Sequence, residues 1–193
     1  MLGIGDKRIM MDEVKQKLKS AKIVMIGGFG DFGRPNKILE ILSKCDGLNW
    51  FRVVTNDPGT DDGVLSTALC SGCAESLLCS FSGMSKKVPA FFGDRIKFMP
   101  QGDLAEAIRC AAVGAESIRI FGKDIKAIHA DLAIIKASLG DALGNLSYRG
   151  NTINFNHVMA MAAEYTIAQV DQLCKIEPDH VHTPGVFVDA VFS

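Results

Sequence analysis

The sequence has 193 residues, 48% of them hydrophobic, 22% charged and 7% aromatic, with a formal net charge of −1. This length suits one well-buried domain spanning 1–193, the composition excludes disorder, and the near-neutral balance gives no field for nucleic acid or an anionic membrane surface. The longest apolar runs fall far short of the roughly 20 residues that cross a bilayer. Residues 1–19 show no secretory pattern, so a cytoplasmic location is expected.

In chain order, residues 12–19 predict a short amphipathic helix with acids in its first turn and lysines later, which suits the helix dipole. A β-branched apolar run at 22–26 predicts a strand buried on both faces, and a glycine-rich loop follows at once. A helix over 36–44 comes next, with Pro35 at its start. A second strand at 50–55 runs into the turn-rich segment 56–63. Further strands are expected at 76–81, 96–99, 131–137, 146–149, 166–170 and 186–191, and further helices at 103–112 and 158–164. This alternation predicts an α/β fold, an open and mostly parallel sheet with helices on both faces. Ligands of such sheets sit at the carboxyl ends of the strands, where the loops at 27–35, 56–63 and 100–103 are expected to converge.

Several motifs allow a bland and a functional reading. GGFGDFG lacks the Gly-Lys-Ser/Thr of a P-loop and the spacing of a dinucleotide loop. It is either a tight turn needing positive φ or a loop whose backbone N–H groups approach an anion, helped by the positive end of the next helix. Asp103 and Glu106 have the spacing of a capping box, which competes with a catalytic role for Glu106. Gln101 is expected in the loop before that cap, where its amide could reach a carboxylate or an oxyanion. The six cysteines (Cys45, Cys70, Cys73, Cys79, Cys110 and Cys174) lie in apolar surroundings, as thiols kept reduced would. Cys70 and Cys73 have the spacing of half a zinc site or a redox pair, with no second pair in view. His180 and His182 fit a solvated edge or an intersubunit contact, and Asp61 and Asp62 a cation site or a turn cap. No metal site is expected.

Together, GGFGDFGRP, VVTNDPGTDDGVL, MPQGDLAEAIR, HADLAIIKASLGDALGNLSYR, NFNHVMAMAAEYTIAQVDQL and DHVHTPGVFVDAVF resemble, colinearly, the A (alpha) subunit of family I CoA-transferases of the 3-oxoacid or acetate/acetoacetate type. The resemblance implies a fold shared with ribose-5-phosphate-type isomerases and a transfer of CoA from a short-chain acyl-CoA to a carboxylic acid of the 3-oxoacid, acetate or butyrate type. It implies no tightly bound cofactor, with CoA and acyl-CoA as substrates. The nucleophilic glutamate of the family sits in a Ser-Glu-Asn-Gly-like motif of the B (beta) subunit, and no such motif occurs here. The chain is therefore expected to act only with a B subunit, in an A2B2 or larger assembly, with no catalytic nucleophile of its own.

The family's GGFxxxGxP signature falls on Gly27, Gly28, Phe29, Gly33 and Pro35. It implies a CoA-binding loop of Gly27, Gly28, Phe29, Gly30, Asp31, Phe32 and Gly33, in which Gly28→Val should damage exchange more than folding. Asn56, Asp57, Gln101 and Gly102 are implied to border the substrate site, Gln101 as a contact to the acyl carboxylate or oxyanion. A glycine-rich loop usual after the helix 103–112 is mostly absent beyond Gly114, Asp103 replaces the usual Thr, and residues 70–75 replace a basic stretch. These departures imply a more open or differently shaped pocket. A non-catalytic domain sensing CoA or a sugar phosphate on the same fold is the alternative.

Overall fold

The computed structural model describes residues 5–44 and 51–193. One main sheet organises the chain, with strands β1 (Ile23–Ile26), β2 (Phe51–Val54), β3 (Ala74–Cys79), β4 (Ile96–Phe98), β7 (Ala130–Gly140), β8 (Leu146–Ser147), β9 (Ala163–Leu173) and β10 (Ala190–Phe192). Their order is β10-β9-β7-β1-β2-β3-β4, every pair on this path is parallel, and β8 pairs antiparallel with β7. A separate antiparallel hairpin joins β5 (Ser117–Ile120) to β6 (Lys123–Lys126).

Side-chain alternation divides the buried strand residues between two cores. Val24 and Ile26 of β1 and Leu132 and Ile134 of β7 face one side, packing with Val14 and Leu18 of α1 (Met11–Ser20) and Ile38, Leu39 and Leu42 of α2 (Asn36–Lys44). The same core takes Leu65 and Ala68 of α3 (Val64–Ala68) and Val88 and Phe92 of α4 (Lys87–Phe92). Met25, Ala133, Ile135 and Ala137 face the other side, against Leu104, Ile108 and Ala111 of α5 (Gln101–Ala112) and Met159 and Ala160 of α6 (Asn156–Met161). Both faces of β1 and β7 are thus buried, which is why they read as continuous apolar runs rather than alternating ones. Among the described residues no helix is long and apolar enough to cross a membrane.

Strands 22–26, 50–55, 76–81, 96–99 and 131–137 and the helix 36–44 are found with ends shifted by up to three residues, except that residue 50 lies outside the described residues. The expected strand over 186–191 shrinks to β10, preceded by a 3-10 turn at Gly185–Phe187. Lys7 Nζ donates to Gly185 O at 2.6 Å and to Val188 O at 2.7 Å, taking both carbonyls out of any ladder. The expected helix 158–164 ends early because Ala163 pairs with Ala130 and begins β9. The short helices α3 and α4 and the β5–β6 hairpin were not anticipated.

Cys70, Cys79, Cys110 and Cys174 are free, whereas Cys73 is disulfide-bonded, a correction to the expectation of reduced thiols throughout. Cys45 lies outside the described residues.

Candidate functional site

β1 ends against β7, where Gly27 N–H donates to Ile134 O at 3.0 Å, and β7 then continues six residues past that level to Gly140. The chain leaving β1 therefore has to turn off the sheet, and Gly28, Gly30 and Gly33 do so with φ of 112°, 56° and 64°. Only glycine takes such angles without penalty. Phe29 and Phe32 exchange both backbone hydrogen bonds at 3.0 Å, closing a tight tip on which both rings are exposed.

Beneath the tip lies a residue the sequence reading did not weigh. Arg34 is 4% exposed and Asp57, in the loop after β2, is 1% exposed. Arg34 Nη2 meets Asp57 Oδ1 at 3.1 Å and Asp57 O at 2.8 Å. Its Nε donates to Gly30 O and its Nη1 to Gly27 O and Thr55 Oγ1, each at 2.8 Å. Burial pushes the guanidinium down from its ordinary pKa, and Asp57 and then Asp31 oppose that fall. Asp57 in turn accepts from Gly30 N–H at 2.9 Å, Gly59 N–H at 2.8 Å and Asn56 Nδ2 at 2.7 Å.

Asn156, fully buried at the start of α6, grips the loop from the other side. Its Nδ2 donates to Gly33 O at 3.0 Å and Thr152 O at 2.8 Å, and its Oδ1 accepts Lys136 N–H at 3.0 Å. A Cβ on Gly27 would stand 1.8 Å from Asn156 Oδ1, and one on Gly28 2.4 Å from Arg34 Cδ. Gly28→Val therefore strikes the buried ion pair and the fold itself, a correction to its expected role as a probe of ligand contact. Gly30 is different, since its Cβ would meet only Met84 Cε, at 3.6 Å. Asp31 accepts Thr60 Oγ1 at 2.7 Å and so ties the tip to the β2 loop.

The structure brings the glycine loop and the β2 loop into one hydrogen-bonded unit. Asn56 and Asp57 belong to it as buried supports, and Asn56 Oδ1 is taken by Ser80 Oγ at 2.9 Å. Gln101 and Gly102 do not join it. They are exposed and follow β4, three strand positions from β1 in the sheet order, about 14 Å at ordinary strand spacing. Gln101 is the first residue of α5 and not part of a preceding loop. With the helix starting two residues early, Asp103 and Glu106 form no capping box: Asp103 pairs with Lys123, and Glu106 accepts Arg109 Nε at 2.7 Å. The positive end of α2 is partly spoken for, because Ile38 N–H donates to Gln169 Oε1 at 3.3 Å.

Two of the remaining candidates, Asp61 and His182, have structural partners. Asp61 accepts Ser85 Oγ at 2.6 Å and Lys87 N–H at 2.9 Å at the start of α4, and the Ser85 bond leads in holding its carboxyl below the usual range. His182 Nδ1 accepts Tyr148 N–H at 3.1 Å and stands 3.1 Å from Ser147 Oγ. No group of three metal-ligating side chains occurs among the described residues. Burial raises the Cys70 thiol, opposite to the lowered pKa of a redox nucleophile.

Four apolar side chains are exposed around the carboxyl ends of β1 and β3: Phe29 and Phe32 on the tip, and Phe81 and Met84 after β3. Comparison with known proteins gives this chain a family. The family model described as Coenzyme A transferase matches residues 8–119 and 125–193, omitting only the hairpin tip within that span. The A-type chain of the 3-oxoadipate CoA-transferase of Pseudomonas putida is 34% identical over 88% of this chain and 85% of its own length. The alpha chain of the acetate CoA-transferase of Escherichia coli is 26% identical over 96% of both chains. In fold, the chain superposes on an acyl-CoA transferase of Escherichia coli O157:H7 with a TM-score of 0.82 at 17% identity, covering 99% of this chain and 47% of that one, so it spans about half that length. Glutaconate coenzyme A-transferase from Acidaminococcus fermentans gives 0.81 at 17% identity over 96% of this chain and 75% of that one. The chain belongs to the coenzyme A transferase family, as a subunit of the alpha type.

Proposed function

We propose that this chain forms one half of a two-subunit enzyme that moves CoA from a short-chain acyl-CoA to a carboxylic acid, with a B subunit supplying the glutamate nucleophile. The observation that carries the reading is the state of the carboxylates around the glycine loop. Asp57 is buried and ion-paired, Asp31 is held by Thr60, and Asp61 is held by Ser85 and Lys87. Each of these three is committed to partners within this chain. A site with a preorganised backbone loop and carboxylates that serve to hold it suits covalent catalysis completed by another chain. The exposed Phe29, Phe32, Phe81 and Met84 support a docked partner over this carboxyl end of the sheet.

In this reading the partner's carboxylate oxygen attacks the thioester carbonyl and expels CoA thiolate, leaving an acyl-glutamyl anhydride. The thiolate then attacks the glutamyl carbonyl and releases the first acid, which leaves a glutamyl-CoA thioester. The acceptor carboxylate runs the same two steps in reverse. Gly27, Gly28, Phe29, Gly30, Asp31, Phe32 and Gly33 form the acyl-CoA contact in this scheme. The acids are of the 3-oxoacid, acetate or butyrate type, the first two in keeping with the names of the relatives, and the assembly is A2B2 or larger.

The test is reconstitution with the B subunit, using a panel of succinyl-CoA, acetyl-CoA and butyryl-CoA against 3-oxoadipate, acetoacetate and acetate. Exchange should require both chains, and borohydride should inactivate the complex only after acyl-CoA is added. A well-folded complex that exchanges no pair in the panel overturns the proposal.

A further inference from the structure

A buried ion pair is a costly way to fill space, since apolar side chains of similar volume often give equal or greater stability. The Arg34–Asp57 pair must therefore be weighed by its wiring. Arg34 takes up the carbonyls of Gly27 and Gly30, and Asp57 takes up Gly30 N–H and Gly59 N–H. The loop's carbonyls at those two positions are thereby committed inward. Gly28 N–H, in a buried residue between them, has no acceptor among the described residues. A planar guanidinium can bridge three backbone carbonyls and a hydroxyl at once, and a lysine ammonium cannot hold the same set in that geometry.

We propose that Arg34 and Asp57 are positioning residues for the transfer reaction: they fix the loop main chain so that Gly28 N–H stays available to an oxygen of the bound acyl-CoA. This rests on the reading of the loop as the acyl-CoA contact. The pair thereby sets the affinity for acyl-CoA without touching it.

The experiment uses the reconstituted complex with succinyl-CoA and acetoacetate, and four variants of this chain. Asp57→Asn leaves the guanidinium unbalanced, Arg34→Lys keeps both charges but loses the bridging, and the double variant Arg34→Met with Asp57→Asn removes both charges. Phe32→Ala, on the exposed tip, tests the loop itself. The positioning role requires KM for succinyl-CoA to rise about 10- to 100-fold in Arg34→Lys and in the double variant, the cost of a loop displaced by an ångström or less. It also requires that the double variant regain thermal stability relative to Asp57→Asn without regaining KM, a split that simple structural support would not produce. Wild-type KM in Arg34→Lys, together with a raised KM in Phe32→Ala, overturns the positioning role and leaves the loop reading standing. Wild-type KM in all four variants overturns the loop reading, and the positioning role with it.

Discussion

The loop between β1 and α2 and the tip of the β5–β6 hairpin are both left-handed turns, and they differ in what surrounds them. In the loop, a Cβ at Gly27, Gly28 or Gly33 would collide with Asn156, Arg34 or Asn154 respectively, at 2.9 Å or less. At the hairpin tip, Phe121 and Gly122 carry φ of 48° and 81°, nothing stands within 4 Å of a Cβ on Gly122, and the Phe121 ring is fully exposed. Both positive angles form the two-residue turn that matches strand twist. Glycine serves conformation alone at the tip, whereas in the loop it also lets buried polar side chains reach the backbone. The family match, unbroken across the loop and interrupted over 120–124, divides at the same place.

Substitution should separate the two regions sharply. Gly28→Val combines left-handed strain with collision against a desolvated ion pair and should cost about 3–5 kcal/mol, read as a fall in denaturation midpoint. Gly122→Ala, which meets only the angle, should cost about 1 kcal/mol. Equal losses at the two positions would erase the distinction.

Burial can be tested without glycine, at Tyr148. Its hydroxyl meets Thr183 Oγ1 at 2.9 Å, and burial pushes its pKa from 10.0 up to about 12. The folded state favours the neutral phenol, so this contribution to stability is intact below pH 10 and is lost as pH rises through 12. The loss should reach about 2–3 kcal/mol, and Tyr148→Phe should flatten that part of the pH profile.

The hairpin offers the smaller effects. Phe121→Asn creates the Asn-Gly pair preferred in this turn and should raise stability by about 0.5–1 kcal/mol, seen as a small rise in Tm. Lys123→Ala removes the ion pair to Asp103 at the surface and should change stability by less than about 1 kcal/mol, an effect that shrinks further in high salt.

The central strands, the helix after the loop and the glycine turn itself were legible because each depends on local pattern: an apolar run such as Ile23–Ile26, a proline before α2, glycines where φ must be positive. The family was legible because several such segments follow in order. Arg34 and Asn156 were not, although both stand inside the quoted segments. Nothing local distinguishes an arginine that will be buried from one that will be solvated, and burial here comes from the β2 loop closing over it from more than twenty residues away. The hairpin was not legible because its strands are four residues each, charged and mostly exposed, so that the alternation in Ser117–Ile120 is too brief to mark a strand.

By itself, then, the sequence determined a parallel α/β sheet, a strand-to-helix glycine turn and membership of the coenzyme A transferase family. Tertiary structure decided which polar groups hold that turn. It made Asn56 and Asp57 buried supports of the glycine loop, and it placed Gln101 on a helix three strands away. The reason is physical: periodicity and propensity act between neighbours in the chain, whereas the partner of a buried charge is chosen by whichever distant segment the sheet brings beside it.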